Sequence, residues 1–390
     1  MQSQPSTSGI SALLRSVRGA RPPLPPKPDG RLAWLHLPQH LPADSVAALR
    51  AALEDYPLLI TQVEVAQEAP LHVALPTGRR AVIDQFIAHW QPELLLWGAR
   101  DNGLAVVRRA HKAGVKLLFA DLSEQGLSPA FRGRQLTEFL HYFDHTLLGD
   151  DTNLSWFKKH GLKDEQVVRC NPLAEIAAPL PENEALLRRT SGALGPRPIW
   201  CAAAVSHGET GAILAAHRHA VKAVPNLLLV IAPRAAPDVI AAQVKADGWR
   251  MAAACPTTPP DPKAEVLLAQ DTEHLPTWMR LATVSYMGGT LYGPEAADPF
   301  AAVAVGSAVL CGPMHAPFAE RYARLSAAGA LALAGSNGAL PVRLVGAMAP
   351  DRSAELAMQG WAVGSEGAET VQIMAREICA LMEAKSDAGS

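Results

Sequence analysis

The chain has 390 residues, 49% of them hydrophobic, and 35 Lys and Arg against 37 Asp and Glu give a formal net charge of −2. That length exceeds one ordinary compact core and predicts two well-filled domains. The near-neutral balance supplies no global field to draw nucleic acid, so no nucleic-acid partner is expected.

The five cysteines (Cys170, Cys201, Cys255, Cys311, Cys379) show no zinc or dithiol spacing, which suggests a reducing compartment. Cys201 and Cys311 sit in apolar runs and read as core residues. Residues 1–30 are Pro-rich and basic, with Arg15, Arg18, Arg21 and Lys27. They are expected to form a flexible leader or a segment that touches anionic lipid. No apolar run is long enough for a signal peptide or a membrane span, so a cytoplasmic protein, at most peripheral on a membrane, is expected.

After the leader, short apolar runs ended by Pro, Gly and polar clusters alternate with segments of helical periodicity. Strands are predicted at 32–37, 58–65, 71–75, 94–97, 116–120 and 145–148, with helices at 43–53, 81–89, 104–113, 132–143 and 150–160. A polar, Pro-containing stretch around Leu180 to Asn183 predicts a domain boundary, so the first domain is placed at 31–182 and the second at 183–368. In the second, strands are predicted at 199–205, 227–232, 265–269, 283–287, 307–311 and 330–334, with a helix at 212–224. A last helix at 369–385, within 369–390, is expected to cross back to the first domain. Strand and helix in alternation imply parallel sheets covered on both faces, that is, an α/β chain of two doubly wound Rossmann-like domains facing a cleft.

In such sheets ligands bind at the carboxyl ends of strands, so the turns there are the candidate sites. The first, Ser206-His207-Gly208-Glu209-Thr210-Gly211, reads either as an anion site, with Glu209 on a sugar hydroxyl or acting as a base and His207 on a phosphate, or as an ordinary turn that Thr210 caps. Arg234 follows the next strand and is able to clamp a phosphate. Gly288-Gly289-Thr290 presents open backbone donors and reads as an anion nest or a plain turn. Cys311 to His315 forms another such turn. No dinucleotide fingerprint, phosphate loop, HExxH or GxSxG motif is present.

These residues resemble the 3-deoxy-D-manno-oct-2-ulosonic acid (Kdo) transferases of lipid A assembly. IWCAAAVSHGETGAILAAHRHAVKAVPNLLLVIAPR is similar to the family's strand, Gly-Glu turn, helix and "P-R" strand end. YMGGTLYGPEAADPF and the run to ARLSAAGA are similar to its "G-G-S-L" loop, "N-P-x-E-P-A" helix start and "G-P-x-x-x-N-F" segment, and QDTEHLPTWMRLATVSYMGG to its "D-T-x-G-E-L" lead-in. AWLHL and FIAHWQPELLLW match the first domain more loosely.

The resemblance implies a glycosyltransferase B fold and metal-independent, inverting transfer from CMP-Kdo or a related nucleotide sugar to a lipid A precursor at the inner face of the inner membrane, with no cofactor. The nucleotide sugar would be held by Ser206, His207, Gly208, Glu209, Arg234, Gly288, Gly289, Thr290, Asp298 and Pro299. The chain departs from the family where its catalytic Glu should be, since that position falls on Pro42. The family's first-domain "E-x-E-L-W-P-N" falls on Trp97 to Asn102 without its glutamates, the expected Lys falls on Leu173, and the ribose-holding Glu falls on Ala301. Losing a general base costs about a hundred- to ten-thousand-fold in rate. Asp44, Asp101 and His36 are the substitutes within reach of the right turns. The alternatives are a catalytically silent paralogue that binds a nucleotide or protein partner in envelope assembly, and a nucleotide-sugar epimerase.

Overall fold

The computed structural model describes residues 24–38, 41–62, 71–99, 103–120, 134–149, 151–181, 183–255, 257–270, 272–293 and 295–384. By packing, the described residues of Met1–Gln39, Leu53–Arg169 and Glu377–Ser390 form one unit, and those of His40–Ala52 and Cys170–Arg376 a second.

The first unit is built on strands β1 (Ala33–His36), β2 (Leu58–Gln62), β3 (His72–Ala74), β4 (Leu94–Trp97), β5 (Lys116–Ala120), β6 (His145–Leu148) and β7 (Val167–Arg169). All pair in parallel, in the order β3-β2-β1-β4-β5-β6-β7. The helices in this stretch of chain are α1 (Ala43–Ala52), α2 (Arg80–Trp90), α3 (Leu104–Lys112), α4 (Arg134–Leu140) and α5 (Asp151–Lys159), of which α1 packs with the second unit. β1, β4 and most of β5 are buried along their length. Helices on both faces of a parallel sheet require such continuous apolar runs. Trp34, Trp90, Trp97, Phe119, Phe139 and Phe157 fill this core and are each essentially unexposed. Expected elements reappear within a few residues, and the structure adds β7, whose three residues Val-Val-Arg carry too little pattern to signal a strand. Residues 63–65 of the expected second strand lie outside the described residues.

The second unit runs α6 (Glu184–Leu194), β8 (Ile199–Val205), α7 (Thr210–Ala220), β9 (Leu228–Pro233), α8 (Pro237–Ala246), β10 (Met251–Ala253), β11 (Val266–Leu268), α9 (Leu275–Leu281), β12 (Val284–Met287), α10 (Phe300–Ala304), β13 (Ala308–Cys311), α11 (Ala319–Ala327), β14 (Leu331–Leu333), α12 (Leu340–Met348) and α13 (Pro350–Glu383), whose residues from Glu377 onward are counted with the first unit. Its sheet is again parallel, in the order β10-β11-β9-β8-β12-β13-β14. Two doubly wound, seven-stranded parallel sheets make two Rossmann-like units. Cys201 and Cys311 are fully buried, and burial pushes each thiol up to about 12.

The last helix corrects the sequence reading, because it starts at Pro350 rather than at 369. Gly360, Gly364 and Gly367 interrupt its pattern, and a helical glycine costs about 1 kcal/mol relative to alanine. Close approach requires at least one of them. A Cβ at position 367 would lie 2.2 Å from the carbonyl oxygen of Ala174. Among the described residues no helix is long and apolar enough to cross a membrane.

One buried group in this unit makes stability depend on pH. His217 is fully buried, accepts a hydrogen bond from Trp200 Nε1 at 3.1 Å through Nδ1, and packs 4.7 Å from Trp249. Burial lowers its pKa from 6.5 to about 4, and the nearby Glu265 only partly offsets this. A folded-state value below the unfolded one means that the unfolded chain takes up the proton first. His217 therefore withdraws stability as pH falls from 6.5 toward about 4, by up to roughly 3 kcal/mol below that range. Urea unfolding across this range should show a shallower acid slope for His217→Gln, which keeps an acceptor for Trp200; equal slopes would remove His217 from the account.

Candidate functional site

In the second sheet β8 is flanked by β9 on one side and β12 on the other, so the chain order reverses between β8 and β12. Crevices open at the carboxyl ends of strands at such a point. There β8 carries an irregularity between Ala202 and Val205, and Ala204 sits at φ +52°. A non-glycine residue in that region costs on the order of 1–3 kcal/mol, which the surroundings must outweigh. The distortion is locked from both sides. Arg234 N–H donates to the Val205 carbonyl at 2.9 Å. Gly288 lies so close on the other side that a Cβ there would be 2.3 Å from the Ala204 oxygen.

The result is a cavity of about 330 Å³ with an alanine-rich wall formed by Ala203, Ala204, Ala232, Ala296, Ala297 and Ala301. Arg234, Asp298, Thr272 and Phe318 also line it. A volume of this size is at the lower end of small-molecule sites, about 300–1,000 Å³. Among the described residues of its wall the one cation is Arg234, which donates from Nε to the Ala204 carbonyl at 3.4 Å and from Nη2 to the Glu295 carbonyl at 2.5 Å. The Glu295 carboxylate stands 3.7 Å from Nη1 and is 74% exposed, a surface pair worth little. An anion entering the cavity would compete with Glu295 for that guanidinium.

Glu209 is organised differently from the expectation that it faces a ligand. It is fully buried, and five donors fill its carboxylate. Oε1 accepts from the Tyr286 hydroxyl at 2.7 Å and the Leu291 amide at 3.1 Å; Oε2 accepts from the Gly289 amide at 2.7 Å, the Ser206 hydroxyl at 3.0 Å and the Ser206 amide at 3.2 Å. One carboxylate thus ties the turn after β8 to the loop after β12. Burial first, and then the Glu209 charge, pushes the Tyr286 phenol well above its ordinary range. Thr290 extends the tie: its buried hydroxyl donates to the Met287 carbonyl at 2.6 Å and accepts from the Gly312 amide at 2.8 Å. Nor does Thr210 cap the helix after β8. Glu209 holds the cap position without a side-chain cap bond, and the Thr210 hydroxyl donates to the Ser206 carbonyl at 3.4 Å.

Of the ten expected binding residues, Arg234 and Asp298 line the cavity. His207 and Gly208 are exposed at the turn, and Ser206 is partly exposed. Glu209, Gly288, Gly289 and Thr290 form the buried frame, and buried Pro299 is the residue before α10. His315 stacks on Tyr322 with centroids 4.3 Å apart, its Nε2 2.9 Å from the Gly312 carbonyl.

Behind Asp298 stands Arg321, which sequence reasoning did not single out. Its side chain is 15% exposed and donates to Asp298 Oδ2 at 2.5 Å, Glu175 Oε2 at 2.9 Å and Asp44 Oδ2 at 3.1 Å, while the guanidinium lies 5.1 Å from the Phe300 ring and 5.5 Å from the Phe318 ring. Burial pushes the Asp298 carboxyl above its ordinary value even so. Asp298 Oδ1 accepts the Phe300 amide at 3.0 Å, which orients the carboxylate at the cavity wall. Nothing in the spacing of Asp44, Glu175, Asp298 and Arg321 along the chain signals that they meet.

Of the three substitutes for a base, Asp44 is committed to Arg321. His36 is fully buried, with Nδ1 3.1 Å from the Thr61 hydroxyl and its ring 4.2 Å from that of Trp97. Asp101 lies outside the described residues. Pro42 is the residue before α1, and its carbonyl accepts the Val46 amide.

Removing the competing acid checks the cavity's anion capacity. Glu295→Ala is expected to tighten binding of inorganic pyrophosphate about two- to fivefold, as a surface ion pair of up to about 1 kcal/mol is released. Calorimetry reads this directly, and weaker binding by the variant would show that Glu295 supports the site instead.

No family model matches the chain. Over 265 residues it is 22% identical to the 3-deoxy-D-manno-octulosonic acid transferase of Haemophilus influenzae. The match covers 66% of this chain and 62% of that protein, so the chain spans less than two thirds of the curated relative's length. Among solved structures, the C-terminal CMP-Kdo binding domain of WaaA from Acinetobacter baumannii is similar at 18% identity over 46% of this chain and 98% of that one, with a TM-score of 0.42. The HepE protein of Anabaena, solved with UDP-glucose, is similar at 11% identity over 90% and 99%, with a TM-score of 0.37. The UDP-GlcNAc 2-epimerase of Neisseria meningitidis is similar at 11% identity over 90% and 100%, with a TM-score of 0.42.

Proposed function

We propose that this chain, a divergent Kdo-transferase-like protein, is a glycosyltransferase that takes its sugar from CMP-Kdo or a related nucleotide sugar and passes it to a lipid A precursor or a related envelope acceptor. The observation that carries the reading is the cavity at the strand-order reversal of the second sheet, with Arg234 and Asp298 on its wall. Arg234 offers a guanidinium to a phosphate, and Asp298 offers carboxylate oxygens to sugar or ribose hydroxyls. The alanine wall, with Ala301 at the ribose-holding position, leaves room for a larger group. In this reading Glu209 and the Gly288-Gly289-Thr290 loop shape the site from beneath, and Ser206, His207, Gly208 and Pro299 border it. The place of work is the cytoplasm, at most peripheral on the inner face of the inner membrane, and transfer is inverting and needs no metal.

Titration with CMP and CMP-Kdo tests the donor. Saturable heat and a raised melting temperature are expected, with Arg234→Ala weakening both about ten- to a hundredfold. Absence of heat and of a thermal shift with both ligands would withdraw the donor assignment.

A second reading is favoured by a specific observation. Asp44 is paired and His36 buried, while Pro42 stands where the resemblance puts the base. A chain that binds the nucleotide and does not turn it over fits these facts. A donor screen that reads released CMP and UDP together with the sugar products separates the readings: binding without release or conversion supports the silent paralogue, release of CMP with its sugar transferred to a lipid A precursor supports the transferase, and conversion of a UDP-sugar to its epimer without an acceptor supports the epimerase.

A further inference from the structure

Helix α13 presents a face that the fold leaves uncovered. Glycines fix its inner side: a Cβ at position 360 would lie 3.4 Å from Val303, and one at position 364 would lie 2.7 Å from it. With Leu356, Gly360, Gly364 and Gly367 buried, Met358 and Trp361 are turned outward, 65% and 64% exposed. Ala354 and Ala362 are exposed beside them, and Ser365 is half-buried. Ala354, Met358, Trp361 and Ser365 follow one another at steps of four, three and four residues, the spacing of a seam between paired helices. From Leu356 to Ser365, nearly three turns, no residue carries a charge. A helix face in water is ordinarily polar, so two large apolar side chains together on one point to a contact surface.

The flanks of the stripe select the partner. Arg352 stands before it and Glu369 after it, both exposed. Arg352 forms an exposed pair with Glu355, worth little, and among the described residues Glu369 has no ion-pair partner. Of the other acids nearby, Glu366 is held by Arg324, and Asp351 complements the positive start of the helix. Two copies of α13 laid antiparallel about a two-fold axis at the level of Gly360 would set Met358 of each against Trp361 of the other, Ala354 against Ser365, and Arg352 against Glu369 at both ends. Small residues then leave room for large ones, and opposite charges meet twice. A parallel pair would instead stack Arg352 on Arg352 and Glu369 on Glu369. We infer that this face is a self-association surface whose occupant is the same face of a second copy of this chain, in antiparallel two-fold pairing. The inference is independent of the nucleotide-sugar reading. The stripe is smaller than a standard interface of about 800 Å² per partner, so the dimer is expected to depend on concentration, with a dissociation constant on the order of 10 µM.

Sedimentation of the full chain from about 1 to 100 µM tests this, and a transition from monomer to dimer is expected across that range. Trp361→Glu and, separately, Met358→Glu should raise the dissociation constant at least about thirtyfold. Both side chains are exposed, so the melting temperature of the dilute monomer should be kept. Arg352→Glu and Glu369→Arg should each weaken the dimer about three- to tenfold, since each loses two pairs and creates two repulsions, and combining them should recover the original value to within about threefold. A chain that stays monomeric throughout, a dimer indifferent to Trp361→Glu and Met358→Glu, or charge variants without effect or without rescue would each overturn the proposal. Binding of a monomer to anionic phospholipid vesicles, lost in Trp361→Glu, would overturn it too and assign the face to a lipid surface.

Discussion

Glu209→Ala is expected to destabilise the second unit by about 3–5 kcal/mol, because it leaves buried donors without an acceptor. The Tyr286 hydroxyl and the amides of Leu291, Gly289 and Ser206 all terminate on this carboxylate. Water has no access, since Glu209, Gly289 and Tyr286 are buried. For a unit of this size the loss lowers the melting temperature on the order of 10 °C. Glu209→Gln keeps the shape and turns an amide NH₂ toward backbone N–H groups, so it should fall between the wild type and alanine. Thermal and urea unfolding check the order. Binding of CMP should weaken along with stability, since the loop that Glu209 holds also positions Gly288 against Ala204. A carboxylate in contact with substrate would give the opposite split, with turnover lost and the melting temperature kept. That outcome would return Glu209 to the ligand-facing role that its place in the turn suggests.

Arg321→Met should cost less, about 1–3 kcal/mol near neutral pH, because it takes the shared guanidinium from three carboxylates that are themselves 42%, 24% and 31% exposed. The pH dependence distinguishes it from loss of packing. The Asp298 carboxyl already lies above its ordinary value through burial, and without the guanidinium it rises further. A carboxyl whose folded value exceeds its unfolded value binds its proton more tightly in the folded state. Its penalty is full above the folded value and is relieved as pH falls through it. The deficit of Arg321→Met relative to the wild type is therefore expected to be larger at about pH 7 than at about pH 5. A deficit that did not change with pH would assign the loss to the contacts of Arg321 with Phe300 and Phe318. Loss of the Asp298 anchor should also weaken nucleotide binding, because the Phe300 amide would be its one remaining tie among the described residues.

Most strands were legible in the residues because a buried parallel strand is a local signal. Ile199 to Val205 and Leu94 to Trp97 are short apolar runs with polar or turn residues at both ends, and their bounds in the structure match. Local patterning failed where packing overrides propensity. The glycines of α13 read as breaks in the helix until the oxygen of Ala174 shows why position 367 has no room for a side chain. β10 and α8 left too weak a periodic trace to be expected, although β10 forms the edge of the second sheet.

The turn after β8 shows the same division within the site. Its composition marks a strand-end turn beside a helix start; residue pattern put Arg234 at a strand end, and Asp298 entered only through the family resemblance. The pattern could not say which way Glu209 points. That depends on β12 lying next to β8, a pairing of residues about eighty positions apart along the chain, which brings Tyr286, Gly289 and Leu291 within hydrogen-bonding range of one carboxylate. Arg321 and its three acids are likewise separated by up to 277 positions. Apolar periodicity and turn residues act over a few neighbours and specify elements and strand ends; the choice between a carboxylate that binds and one that braces is made by long-range packing, which decides who supplies the donors and whether water can reach them.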